Sequence, residues 1–193
     1  MFKRSSVPSG VSEAGLAKWY NSLDEKDVIR LERYIDRADT SSDIAFLTSV
    51  MELAATDENP KFSAFIGDSG RKMKMDDAKR FVFNEKLIES YMDAERYGDA
   101  KNVCMENLGL YPKISAEFLK MNNGILPEKM NCRNRLIDVM VGVDIDYDGA
   151  FVILDRFLEM GLVDDETHRL RTQSLRIHRM QRVFDGVYTY RPK

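Results

Sequence analysis

Four aspartates in the last third of the chain have the spacing of residues that bind a metal ion. Asp144, Asp146 and Asp148 alternate along the chain, Gly149 follows them, and Asp155 ends the segment. Ca²⁺ prefers oxygen ligands, and carboxylates at alternating loop positions can converge on one ion where a glycine permits a sharp turn. In the competing interpretation Asp148 caps a helix, and Asp144 and Asp146 are solvated in the turn before it.

Residues 144–155 resemble the calcium-binding loop of an EF-hand, with an aspartate in the last position as in dockerin-type loops. Val152 stands at a position where such loops often supply a ligand. The resemblance implies that Asp144, Asp146, Asp148 and Asp155 bind Ca²⁺. No other cofactor is predicted.

The C-terminal segment 168–193 is strongly basic. It contains one acid, Asp185, and its charge of +6 leaves −9 for the rest of the chain. Its seven basic residues are Arg169, Arg171, Arg176, Arg179, Arg182, Arg191 and Lys193.

The same segment is amphipathic, because Leu170, Ile177, Met180 and Phe184 form an apolar stripe at helical spacing. Such a helix can bind nucleic-acid phosphates, an anionic membrane surface or a protein partner. The arginines predicted to make these contacts are Arg169, Arg176, Arg179 and Arg182. Alternatively, the stripe packs on the core and the arginines pair with the acidic body.

Catalytic motifs are missing from the sequence. It contains no P-loop, dinucleotide fingerprint, HExxH or CxxC pattern. Cys104 and Cys132 lie in apolar contexts, which predicts buried and unreactive thiols in a reducing compartment. These features predict a protein that is not an enzyme.

Helical spacing of apolar residues continues along most of the chain, and the predicted class is all-α, with about ten helices in a bundle or an irregular array of antiparallel hairpins. Ser22 and Glu25 form a capping box, and Pro60 and Asp76 suit helix starts. A loop is predicted at 67–72. Later helices are predicted at 97–108 (ended by Gly109 and Pro112), 114–122, 127–142, 148–160 and 164–184. A hairpin turn at Asp185-Gly186 is the alternative to a helix end there.

The segment from Asn84 to Pro112 resembles a tetratricopeptide repeat, a helix–turn–helix unit. The matching positions are Leu87, Tyr91, Tyr97, Ala100, Leu108 and Pro112. The sequence departs from the repeat at Asn84, Ile88 and Asn107, which stand at a tryptophan and two small-residue positions. A fainter copy begins at Ile137 and includes Tyr147, Ala150 and Leu158. The resemblance implies a scaffold that binds other proteins.

The composition favours one globular domain. The chain has 193 residues, 44% of them hydrophobic, and a net charge of only −3. We predict a flexible tail at 1–11, and a helical domain at 12–193 with a possible subdivision near 67–72. No signal peptide or apolar run long enough for a transmembrane helix is present, which predicts a cytoplasmic protein. The predicted function is a helical scaffold for a protein partner, and a second copy of the chain is one candidate partner. Nucleic-acid binding through 168–193 and calcium binding are the alternatives.

Overall fold

The computed structural model describes residues 6–188, and side chains as far as Phe184. This part of the chain is all-α, which confirms the predicted class, and it contains no strand. One 3₁₀ turn, Ile35–Arg37, lies between the third and fourth helices. The helices are α1 (Ser9–Glu13), α2 (Ala17–Ser22), α3 (Glu25–Leu31), α4 (Asp43–Thr56), α5 (Pro60–Arg71), α6 (Asp77–Asp93), α7 (Tyr97–Met121), α8 (Asn131–Gly142), α9 (Tyr147–Glu159) and α10 (Asp165–Tyr188).

From α4 onward the chain is an array of helical hairpins. Each helix packs on the next one, and the alternate helices α4, α6 and α8 also contact each other. These three helices therefore form one layer, against which α5 and α7 pack. The apolar residues between the layers form one continuous core that extends from Val11 to Leu175.

The N-terminal region is more ordered than predicted. Helix α1 begins at Ser9, and Val11 is completely buried, so the part of the predicted tail from Ser9 onward belongs to the fold. The predicted capping box at Ser22 is not formed. Asp24 caps α3 by accepting a hydrogen bond from the Asp27 N–H at 2.9 Å, whereas the Ser22 hydroxyl donates to the Trp19 carbonyl. The two-residue shift leaves a carboxylate at the helix start, where the macrodipole favours it.

The predicted loop at 67–72 is wrong, because α5 continues through it to Arg71. Its glycines face α6. A Cβ atom at Gly67 would lie 2.2 Å from Leu87 Cδ1, and one at Gly70 would lie 2.2 Å from Phe83 Cζ. The glycines therefore allow close contact between α5 and α6 instead of breaking the helix.

The predicted helix end at Gly109 and Pro112 is also wrong, since α7 continues to Met121 and absorbs the helix predicted at 114–122. A proline inside a helix costs about 3 kcal/mol relative to alanine. Aromatic packing opposes that cost. Phe118 packs edge-on against Phe81 at 5.1 Å between ring centroids, and Tyr111 lies 6.3 Å from both rings.

Helix α8 begins at Asn131, four residues after the predicted start, and it is capped from a different helix. The Glu85 side chain of α6 accepts hydrogen bonds from the backbone N–H groups of Asn131 and Cys132. The Asn131 side-chain amide donates to the Glu85 carbonyl at 2.7 Å. A carboxylate from α6 therefore satisfies N–H groups at the start of α8 that have no partner within the helix.

Candidate interaction surface on the last helix

The predicted calcium loop and the predicted basic helix lie against each other. Helices α9 and α10 form an antiparallel hairpin. Asp155 lies 2.8 Å from His168 Nε2, and Asp148 Oδ1 accepts from Arg179 Nη1 at 2.8 Å. Two features that were predicted as separate sites are therefore the two sides of one helix pair.

The four aspartates do not converge. Asp146 caps α9 by accepting from the Gly149 N–H at 2.9 Å, and Asp144 is bound by Lys101 Nζ of α7. Asp155 lies more than two turns along α9 from the loop. Within residues 6–184, no group of three or more His, Cys, Asp or Glu side chains is placed to hold a metal ion. Calcium binding remains a prediction, and a Ca²⁺ titration would test it.

Helix α10 extends past the end of its partner. The hydroxyl of Tyr147, the first residue of α9, lies 2.8 Å from His178 Nδ1. Slightly further along α10, Asp148 pairs with Arg179, and Phe151 lines a groove with Met180. The last buried side chain of α10 is Leu175, and every side chain from Arg176 to Phe184 is exposed. We call residues 176–184 the overhang.

The overhang carries an apolar face that is largely exposed. Ile177, Met180 and Phe184 are 49%, 58% and 56% exposed, and Val183 is exposed beside them. Leu170, earlier in the helix, is exposed as well. The predicted packing of the stripe on the core is therefore wrong. Leu175, outside the stripe, holds α10 to the core.

The arginines of α10 differ in their contacts. Arg169, Arg176, Arg179 and Arg182 are all exposed. Only Arg179 forms an ion pair with a described side chain, Asp148. Arg176 and Arg179 line a small groove with Phe151 and Met180, where the overhang leaves α9. The overhang thus presents arginines and apolar side chains together.

A second apolar surface lies on the opposite part of the array, where α4, α6 and the end of α7 meet. A groove of about 400 Å³ is lined there by Ile44, Val82, Phe83 and Met121, and Val82 and Met121 are exposed. Its lysines are paired with acids: Lys79 lies 3.6 Å from Asp76, and Lys86 lies 2.6 Å from Glu52. We call this surface the α4–α6 groove. Sequence reasoning missed it because its residues come from three separate helices.

The repeat-like hairpin is closed by a buried polar network. Its two asparagines, Asn84 and Asn107, are completely buried, and Asn84 Nδ2 donates to Asn107 Oδ1 at 2.9 Å. Asn84 also donates to Glu106, which binds Arg71, and Asn107 also donates to Glu85. Two departures from the repeat pattern are therefore partners of each other. Side-chain hydrogen bonds, rather than a tryptophan in a groove of small residues, join α6 and α7 here.

The polar side chains at the α6–α7 turn also form contacts with each other. Arg96 donates to both carboxylate oxygens of Asp68 and to Asp99, and it lies over the Tyr91 ring at 4.4 Å. Burial, together with a hydrogen bond to Asp68, raises the pKa of Tyr91 to about 12. The tyrosine is thus held protonated in a contact that ties the turn to α5.

We expect Cys104 and Cys132 to be unreactive in the folded protein. Both thiols are completely buried, and burial raises the pKa of each well above its usual range, with Glu85 adding to the shift. A thiol reagent needs an accessible thiolate. Treatment with a chromogenic disulfide reagent should release no signal from native protein and two equivalents in denaturant. A rapid reaction of either thiol in native buffer would contradict this placement.

The described part of the chain belongs to the all-α class, as a bundle of antiparallel helical hairpins. No protein-family model, curated protein or solved structure matches it. None of its helices in residues 6–188 is both long and apolar enough to cross a membrane.

Proposed function

We propose that this protein is a non-catalytic helical scaffold that associates with a second copy of itself, with the overhang of one copy bound in the α4–α6 groove of the other. The observation that carries the proposal is the overhang. Ile177, Met180 and Phe184 are about half exposed on a helix that continues beyond its partner. Burying the exposed half of such side chains stabilises a complex by about 1 kcal/mol each before the costs of association.

The mixture of residue types favours a protein partner over a nucleic acid. Phosphate contacts would use Arg176, Arg179 and Arg182, but they would leave the apolar face in water. A helix bound in an apolar groove buries that face and keeps its charged residues at the rim. The overhang therefore suits a groove on a protein surface.

The same chain supplies a groove of this kind. The α4–α6 groove is apolar, its lysines are neutralised by neighbouring acids, and Glu117 adds a carboxylate to its rim. The overhang belongs to a segment of charge +6, whereas the rest of the chain carries −9. Direct pairing of two overhangs would instead bring like charges together. Charge complementarity therefore favours overhang against body.

Replacing Ile177 and Met180 with glutamine should abolish self-association. Both side chains are exposed, so the fold should be unaffected. By sedimentation equilibrium, we expect the unmodified chain to rise from its monomer mass of 22.3 kDa with increasing concentration, and the double variant to stay monomeric. Leu170→Gln is the matched control, because Leu170 is equally exposed on α10 but lies before the overhang.

A mixing experiment identifies the surface that receives the overhang. Val82→Gln should also prevent association, since Val82 is an exposed wall of the groove. A mixture of the overhang variant and the groove variant should associate again, because each supplies the half that the other lacks. If the unmodified chain is monomeric at all concentrations, or if the mixture does not associate, the proposal is wrong.

A separate measurement of RNA binding tests the nucleic-acid alternative. Fluorescence anisotropy with a labelled RNA should show no binding that depends on Arg176, Arg179 and Arg182. If instead RNA binds, and alanine at these three positions lowers both the affinity and its salt dependence, the overhang is a nucleic-acid contact.

A further inference from the structure

A buried arginine without a carboxylate partner lies between the α7–α8 and α9–α10 connections. Arg133 of α8 is only 8% exposed. Its guanidinium donates to the Leu162 carbonyl at 2.8 Å and to the Glu128 carbonyl at 2.6 Å. Its Nε has no hydrogen-bond partner among the described residues. Arginine stays protonated in proteins, so a full positive charge is buried there with only carbonyl dipoles to compensate it.

A second arginine lies close by. Arg171 of α10 is half-buried, and it donates to Asn134 Oδ1 at 3.0 Å. Burial, and then the charge of Arg133, lower its pKa from the usual arginine value, and the charge of Asp138 opposes that shift. The acceptors of the two guanidinium groups are backbone carbonyls for Arg133 and the Asn134 amide oxygen for Arg171, and no carboxylate among the described residues forms a salt bridge with either. Two cations therefore act on each other, which is unfavourable unless an anion joins them.

The two arginines line one cleft, with a volume of about 660 Å³. This size is in the range of sites for small molecules. Its apolar walls are formed by Leu119, Ile125, Leu126, Leu162 and Val163.

The acids of the cleft do not neutralise the arginines. Glu128 and Asp164 are exposed at the rim, where solvent screens their charges. The Asp164 carboxylate is used to cap α10, since it accepts from the Thr167 N–H at 2.7 Å. The positive charges are therefore deeper than the negative ones, and buried charges act more strongly on a bound group than screened ones do.

We propose that this cleft binds a small molecule with an oxyanion group, a phosphate or a carboxylate, attached to an apolar body. The planar guanidinium fork matches the oxygens of either group, and charge-assisted hydrogen bonds are the strongest of their kind. The apolar walls would bury the rest of the molecule. The site is separate from the overhang, so binding of a small molecule there does not depend on self-association.

Calorimetric titration of the full chain tests this site. The probes are phenyl phosphate and benzoate. Inorganic phosphate and acetate are the controls that carry only an oxyanion, and phenol is the control that carries only the ring. We expect saturable binding of at least one aromatic anion, tighter than that of phosphate or phenol alone. The aromatic anion that binds more tightly identifies the oxyanion as phosphate or carboxylate. Arg171→Gln should weaken binding by about tenfold or more, because it removes a charged donor.

Arg169→Gln is the matched control, because Arg169 is an exposed arginine of the same helix turn. It should bind the probe like the unmodified protein. Arg171→Lys should bind with intermediate affinity, since it keeps the charge and loses the fork. Thermal melting confirms that each variant is folded. If no probe gives saturable binding, if phenol binds as tightly as the anions, or if both glutamine variants lose affinity equally, the proposed site is wrong.

Discussion

Replacing Gly70 with alanine should lower the free energy of unfolding by about 2–3 kcal/mol, in the upper part of the range for overpacking a closely packed core. The added Cβ would lie 2.2 Å from Phe83 Cζ and 2.7 Å from Phe83 Cε2. Phe83 is 1% exposed, so its ring has little room to move. Either α5 and α6 separate or the ring leaves its rotamer. Urea unfolding followed by circular dichroism measures the loss.

Gly109 supplies the matched control, since it also lies inside a helix but has no atom within 4 Å of its Cβ position. Gly109→Ala should therefore stabilise the protein by about 1 kcal/mol, the difference in helix propensity between the two residues. The two variants make the same chemical change with opposite expected signs. Equal stability of both would contradict the close contact between α5 and α6.

Replacing Glu85 with alanine should destabilise the protein by about 3 kcal/mol. The carboxylate accepts from the backbone N–H groups of Asn131 and Cys132 and from the Asn107 side chain. Its removal leaves these donors without their acceptor in a largely buried place, at about 1–3 kcal/mol for each unsatisfied group. It also removes a negative charge from the start of α8. Chemical unfolding monitored by circular dichroism gives the difference.

Glu89 is the control for Glu85, one turn later on the same helix. It forms an ion pair with Arg135 whose two side chains are 36% and 38% exposed. An ion pair at this exposure contributes about 1 kcal/mol or less. Glu89→Ala should thus have a much smaller effect than Glu85→Ala, and Glu85→Gln should lie between them because one acceptor oxygen remains. A loss at Glu85 no larger than at Glu89 would show that α8 does not depend on its cap from α6.

A buried polar network joins α6 to α7. Asn84 and Asn107, at two positions where the sequence departs from the repeat pattern, bond to each other. Their network continues to Glu85 and so to α8. The register of α6, α7 and α8 is therefore specified by directional hydrogen bonds as well as by apolar packing. One sequence does not reveal such a network, because its members lie more than twenty residues apart.

The helical character of the chain followed from local features alone. Apolar spacing at the helical period depends only on neighbouring residues, and so do starts such as Pro60 at the first position of α5 and the Asp76 cap of α6. Helices α9 and α10 begin within one residue of their predicted starts. Here local preference and tertiary packing agree.

Where the predictions failed, contacts between distant residues overrode local preference. Gly67 and Gly70 are typical of a loop, but α6 packs against them and the helix continues. Pro112 is typical of a helix end, but Phe81 and Phe118 hold α7 together beyond it. Burial energy from several helices exceeds the propensity of one residue.

The candidate binding sites also combine properties set by the local sequence with properties set by contacts between distant residues. The sequence by itself determined that 168–184 is a basic amphipathic helix and that acids precede it. Only the tertiary structure decided that Asp148 faces Arg179, that Arg171 lines a cleft with Arg133, and that Ile177 and Met180 remain exposed. Composition and periodicity are local properties, whereas the partner of a charge and the burial of an apolar face depend on where neighbouring helices end. Helix α9 begins at Tyr147, beside His178, and this endpoint leaves the side chains of the overhang exposed.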